Sequence, residues 1–226
     1  EALRQCSGEV KTGAISLKVL TRLPPPPLEN DMMESARINP ATLTLMGMRR
    51  STKVAALTEP GPGPTEVDTL VRIASRVPDH GKLAPWRFIV WEGEARRKAG
   101  EAIATVVARK QPSIPVDRLA VERMRLMRAP VVIGVVSRAT EHPKIPRWEQ
   151  VLSAGAACYA LLLAAHAAGY AGCWLTEWIA YDPDAKEALG LLPGEDFAGL
   201  IYLGTARESP VERWRPDVDA LICRPE

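Results

Sequence analysis

The patterning of this chain predicts an α/β or α+β domain, a central sheet flanked by helices. Three observations carry that reading. Segments with helical and strand periodicity alternate from residue 39 onward. The run VVIGVV at 131–136 is continuously apolar, the mark of a strand buried on both faces. The Ala-rich stretch 149–168 ends at Gly169 and reads as one long helix with a glycine C-cap. The 226 residues suit one substantial domain or two small ones, and 46% apolar against 25% charged residues is an ordinary globular balance.

The first 38 residues stand apart. They hold four consecutive prolines, Pro24 to Pro27, which favour extended polyproline geometry over a packed fold. We read 1–38 as a disordered or non-native extension and 39–226 as the folded domain. Asn39-Pro40 opens a first helix, with Asn as N-cap and Pro at the first helical position, running to about Met48. Residues 58–64, TEPGPGP, form a rigid loop. Thr65 opens a second helix with Asp68 as capping partner; Val67, Leu70, Val71 and Ala74 share one face, and Pro78 stops it.

Residues 87–91, RFIVW, form a strand that turns at Glu92-Gly93. Polar helices follow at 94–110 and 117–128, then the strand 131–136 and a loop over 138–148. After the long helix, 173–178 is strand or loop, 182–189 a short helix ending at Gly190, and 199–203 the last strand.

Several classes are disfavoured by composition. A net charge of +2 gives no footing for a nucleic-acid partner. Residues 151–169 approach membrane-spanning length, but Ser153, Gly155, His166 and the many alanines fit a buried core helix better. Cys6, Cys158, Cys173 and Cys223 form no C-x-x-C pair, which fits a reducing, cytoplasmic setting. His80, His142 and His166 lack metal-ligand spacing, so no metal is expected. There is no dinucleotide-binding glycine fingerprint, Walker loop or nucleophile elbow. If the chain is an enzyme, a bound organic cofactor carries the chemistry and no side chain need be catalytic.

Three segments could hold such a group. Arg49-Arg50-Ser51 follows a short helix, and guanidinium forks with a hydroxyl suit a phosphate, although exposed arginine pairs also occur on any solvated surface. The stretch from Arg76 to Phe88, RVPDHGKLAPWRF, puts cationic and titratable groups in a loop before a strand, with Trp86 serving equally as a core anchor. Residues 169–176, GYAGCWLT, combine glycines that admit close approach with a tryptophan and a hydroxyl.

Together these segments resemble the nitroreductase family of FMN proteins, in particular its small bacterial branch. The resemblance runs from about Met46 to Arg207. It includes R-R-S, R-x-P-D-H, P-W-x-F, K-x-P-R-W-E-Q at 144–150, S-A-G at 153–155, A-x-G-x-x-G-x-W at 167–174 and Y-L-G-T at 202–205. It implies an α+β fold with a mixed or antiparallel sheet, a homodimer joined through the long helices, and FMN in a cleft at the dimer interface. By similarity, Arg49, Arg50 and Ser51 bind the phosphate and ribityl end, Arg76 and His80 also contact FMN, and Trp174, Leu175 and Thr176 line the flavin ring, mainly through backbone. The segment Ala164, Ala165, His166, Ala167, Ala168 and Gly169 corresponds to one linked with NAD(P)H.

The implied activity is hydride transfer from NADH or NADPH through FMN to a nitro compound, quinone or other small electrophile, in two half-reactions. The rival readings are another reaction on the same fold, such as flavin fragmentation or reductive dehalogenation, and a non-enzymatic flavin-binding dimer. Ala84 stands where many members carry Gln. Lys82, two residues earlier, would supply a cation near the flavin pyrimidine ring, favouring its anionic reduced form. Replacing Lys82 with Met should then lower the flavin reduction potential, measured by redox titration of the holoprotein; an unchanged potential removes that role.

Overall fold

The computed structural model describes residues 38–225. Apart from Ile38, the extension expected over 1–38 lies outside the described residues, as does Cys6. In chain order the elements are α1 (Pro40–Met48), β1 (Leu57–Thr58), α2 (Pro64–Ala74), β2 (Trp86–Glu92), α3 (Glu94–Lys110) and α4 (Val116–Arg123). Then come β3 (Val131–Ser137), α5 (Arg147–Ala167), β4 (Ala171–Leu175), α6 (Pro183–Ala188) and β5 (Asp196–Ala206).

The strands form one sheet in which every pairing is antiparallel, so the fold is α+β. β5 is its axis: it pairs with β1, β3 and β4, and β2 completes the sheet beside β3. Side chains on a strand alternate between faces, and β3 and β5 divide accordingly. Val132, Val136, Leu200 and Tyr202 join Trp91, Ile103 and Leu126 in one core. Val131, Ile133, Val135, Ile201 and Leu203 join Leu70, Ala157 and Leu161 in the other. The sheet is thus sandwiched between helical layers, and β3 is buried on both faces as its unbroken apolar run requires.

Local chemistry sets the ends of the elements. Asn39 Oδ1 accepts from Thr42 N at 3.0 Å, capping α1 as expected. The second helix differs in detail. It starts at Pro64 behind Gly63, and Glu66, not Asp68, closes the capping box through its bond from Gly63 N. α5 begins two positions before the expected start and ends in a Schellman turn. There Tyr170 N reaches Ala165 O, Gly169 N reaches His166 O, and Gly169 sits at φ +87°. Among the described residues α5 alone is long and apolar enough to cross a membrane; its small residues pack on β3, β4, β5 and α2.

One buried carboxylate locks β2 to the loop before β5. Glu195 is 8% exposed and accepts from Arg87 Nε (2.8 Å), Arg87 Nη2 (2.6 Å) and Leu192 N (2.8 Å). Burial alone would raise its pKa, but those donors outweigh burial and lower it. A lowered folded pKa means stability that is present above the usual carboxylate range and lost as pH falls through the folded value. Glu195→Ala removes the buried carboxylate that accepts from Arg87 and Leu192 N and should cost about 3 kcal/mol at neutral pH, read by denaturant unfolding. The wild-type advantage should fade below about pH 4.

Candidate cofactor cleft

After α1 the chain leaves the helix at Arg49 (φ −58°, ψ 129°) and runs extended between the end of α5 and β4. Two contacts hold it there. His166 spans Leu162 O (2.7 Å) and Arg50 O (2.9 Å) with its two ring nitrogens. Thr52, nearly fully buried, donates its N–H to Gly172 O at 3.0 Å. The segment is therefore stapled to the scaffold on both sides of Ser51.

This places Arg49 and Ser51 opposite Trp174 and Thr176, with Tyr159 and Leu162 of α5 as the floor. The six line a cleft of about 330 Å³. Arg49 is one of these lining residues, and its Nη1 is buried without a hydrogen-bond partner. A buried guanidinium nitrogen without a partner is costly. Arg50 turns the other way. Its Nη1 donates to Pro210 O at 3.0 Å, and its Nε lies 2.6 Å from Glu212 Oε2 in an ion pair off hydrogen-bond alignment. Of the two arginines, Arg49 faces the cleft and Arg50 ties down the C-terminal segment.

β4 sorts the ring-facing residues by alternation. Trp174 and Thr176 face the cleft, whereas the Leu175 side chain packs against the opposite core, leaving only its backbone on this side. Trp174 lies across Gly199: a Cβ built there would come 2.0 Å from the indole Nε1, which donates to Ala198 O at 3.2 Å. The need for glycine on the facing strand was not apparent from the sequence.

The second group of expected residues gathers elsewhere. Arg76, His80 and Lys82 are exposed on the loop between α2 and β2. That loop packs on the N-terminal half of α5. His80 Nδ1 is 2.7 Å from Glu149 Oε2, and Ser153 Oγ donates to Pro78 O (2.7 Å) while accepting from Trp86 Nε1 (3.0 Å). The Asp79 carboxylate accepts from Leu83 N and Ala84 N, holding Lys82 (φ +55°) and Ala84 (φ +45°) in left-handed backbone that neither side chain favours. Glu149 and Tyr159 are about 15 Å apart along the helix, so one chain does not bring this group into the Arg49 cleft. Of the segment 164–169, Ala164 and Ala165 are buried, His166 is engaged as above, and Ala167 to Gly169 are exposed.

Residues 46–205 match the profile described as the Nitroreductase family. The chain belongs to the nitroreductase family. YdjA of Escherichia coli (strain K12), provisionally named an NAD(P)H nitroreductase, is 36% identical over 165 residues, 72% of this chain and 87% of its own. A Haemophilus influenzae protein of the same provisional type is 36% identical over 168 residues, 74% of this chain and 89% of its own. The nitroreductase architecture recurs in a nitroreductase-like protein from Bacillus cereus, at TM-score 0.73 and 20% identity, covering 85% of this chain and all (100%) of that one. It recurs again in a Desulfovibrio desulfuricans structure described as a nitroreductase in complex with FMN, at TM-score 0.63 and 23% identity, covering 84% of this chain and 99% of that one. The Trp174 wall of the cleft depends on the space that Gly199 leaves for the indole. Gly199→Ala should push Trp174 outward, increasing acrylamide quenching of tryptophan fluorescence without loss of the far-UV circular dichroism of the fold.

Proposed function

We propose that this nitroreductase-family protein is an FMN-dependent oxidoreductase that uses NADH or NADPH. The carrying observation is Arg49: a buried guanidinium nitrogen without a partner, next to Ser51, at one end of a cleft whose other wall is Trp174 and Thr176. That donor set fits a phosphate at the arginine and a flat ring along β4. The names of relatives such as YdjA and the FMN in the Desulfovibrio desulfuricans structure support the same cofactors. When bound, FMN supplies the two-electron chemistry that takes hydride from the nicotinamide and passes it to a nitro compound, quinone or other small electrophile. The protein's part is positioning. Arg49 and Ser51 anchor the phosphate end, with Arg50 fixing the segment from behind through Pro210 and Glu212. Trp174 and Thr176 set the plane of the ring.

The working unit in this proposal is a homodimer of the domain 39–226. α1 buries none of its residues and leaves Leu43, Met46 and Met48 exposed, while α5 exposes Trp148, Leu152 and Tyr159 on one stripe beside the cleft. An apolar face of that kind is what a partner covers. Two-fold pairing of antiparallel α5 helices would set the N-terminal half of one against the C-terminal half of the other. Arg76, His80 and Lys82 of each chain would then reach the cleft formed by Arg49 and Trp174 of its partner, so each FMN would be held by both chains.

That arrangement has a sharp consequence. Arg49→Ala should weaken FMN roughly 10- to 100-fold, the loss expected for one charge-assisted contact, measured by fluorescence titration. A double exchange of Arg76 and His80 to Ala should weaken it as well. Mixed dimers of the two variants, refolded together, should recover one tight site per dimer and bleach anaerobically with NADH or NADPH in that proportion. No recovery would place both groups in one chain's site; undiminished FMN in Arg49→Ala would remove the assignment of the cleft.

A further inference from the structure

The residue after Thr176 is held in an unusual way. Glu177 has φ +52° and ψ 179°, a region that glycine enters freely and side chains avoid. β4 has ended at Leu175, and Glu177 is the residue at which the chain enters a short 3-10 turn, Trp178–Ala180. The strain is met by an ion pair. Arg128 donates Nη1 to Oε1 (3.0 Å) and Nη2 to Oε2 (2.5 Å), a fork-on-carboxylate contact, and Arg125 Nη1 lies 3.1 Å from Oε2.

The arginines are themselves fixed. Arg128 Nη2 donates to Tyr202 Oη at 3.1 Å, and its Cζ lies 5.1 Å from the ring centroid of that fully buried tyrosine on β5. Arg125 pairs with Glu122 at 2.6 Å and stacks over Trp178, whose Nε1 donates to Glu122 Oε2 at 3.0 Å. Residues 177 and 178 are thus both bolted to the 122–128 segment. Burial, the largest single influence, would lower the pKa of Arg128 and raise that of Glu177, yet their hydrogen bonds and the neighbouring charges together outweigh it in both cases, so the pair stays charged across the neutral range. On the cleft side, Tyr181 Oη donates to Thr176 Oγ1 at 3.0 Å.

We propose that Glu177 and Arg128 are positioning residues for the cofactor: by holding the reversed backbone at Glu177, they set the cleft wall formed by Trp174 and Thr176. The inference rests on FMN occupying that cleft. Neither side chain is among the cleft-lining residues, so the effect on the ligand passes through the backbone between Thr176 and Glu177. Strain that is upheld by a dedicated ion pair, one residue from a ligand wall, is the pattern expected of a site whose shape matters more than its local stability.

The test compares wild type with Glu177→Gln, Arg128→Met, their double variant and Arg128→Lys. It measures FMN dissociation constants, the shape of the long-wavelength flavin band and thermal midpoints of the flavin-free proteins. We expect each single exchange to weaken FMN roughly tenfold and to alter the band, with the double variant no worse than either single, as for two members of one unit. Arg128→Lys, which keeps the charge and loses the fork, should fall between Arg128→Met and wild type, and it carries the comparison alone should Arg128→Met not fold. Variants that are folded and bind FMN with wild-type affinity and spectrum, whatever their thermal midpoints, would overturn the inference while leaving the cofactor assignment standing. Wild-type protein that binds no FMN would instead overturn that assignment, and this inference with it.

Discussion

Everything near the cleft hangs from one contact surface, the close seating of α5 on the sheet. Ala157, Cys158 and Ala165 are buried in one core with β3 and β5, and their small volume lets the helix axis approach closely. From that fixed helix, polar side chains reach outward in order. Gln150 binds the 138–146 loop through Thr140 and Ile145, Ser153 binds the loop ahead of β2, and His166 binds the segment carrying Arg49. Tyr159 and Leu162 supply the cleft floor. A larger residue at Ala157 would therefore disturb several loops at once, because they share one support.

The same helix explains why the site segments can be distant in sequence and irregular in backbone. Loops alone would hold Arg49 or Lys82 loosely. Here each is tied within a few residues to a helix or strand by a buried or charge-assisted bond, and unfavourable left-handed residues at positions 82, 84 and 177 are upheld by Asp79 and Arg128. Such strain is tolerated where surrounding contacts over-determine the conformation. The buried cysteines take no part in this. Burial pushes the Cys158 thiol up to about 12 and the Cys173 thiol up to about 11, so both stay protonated and inert in the neutral range.

Much of this was legible in the sequence, for identifiable reasons. Unbroken apolar runs and glycine stops depend on local chemistry, so β3, the end of α5 and the Asn39 cap emerged directly. Residue types alone marked Arg49, Ser51, Trp174 and Thr176 only weakly; the family resemblance grouped them, and the fold brings the four to one cleft. What was hidden depends on partners far along the chain. The two-residue strand β1 has no periodicity to read and exists only through its pairing with Thr205 and Ala206 of β5. The helix at 64–74 took its cap from Glu66, whose carboxylate also accepts from Tyr170 at 2.7 Å, a tertiary contact that Asp68 lacks the placement to make. Arg49 and Arg50 are adjacent and chemically equal; extended backbone turns them to opposite sides, and what Arg50 meets there, Pro210 and Glu212, lies about 160 residues on.

That division of the arginine pair bears on how the cleft keeps its shape. An unpaired buried guanidinium is unfavourable in the free protein, so a segment carrying one needs other bonds to stay in place. Arg50 provides two of them, to Pro210 and Glu212 of the C-terminal segment. Arg50 is engaged within the fold through one hydrogen bond and one ion pair, while Arg49 lines the cleft. An anion bound at Arg49, as proposed above, would meet a segment already held in place, and preformed sites bind with less ordering of the chain on association.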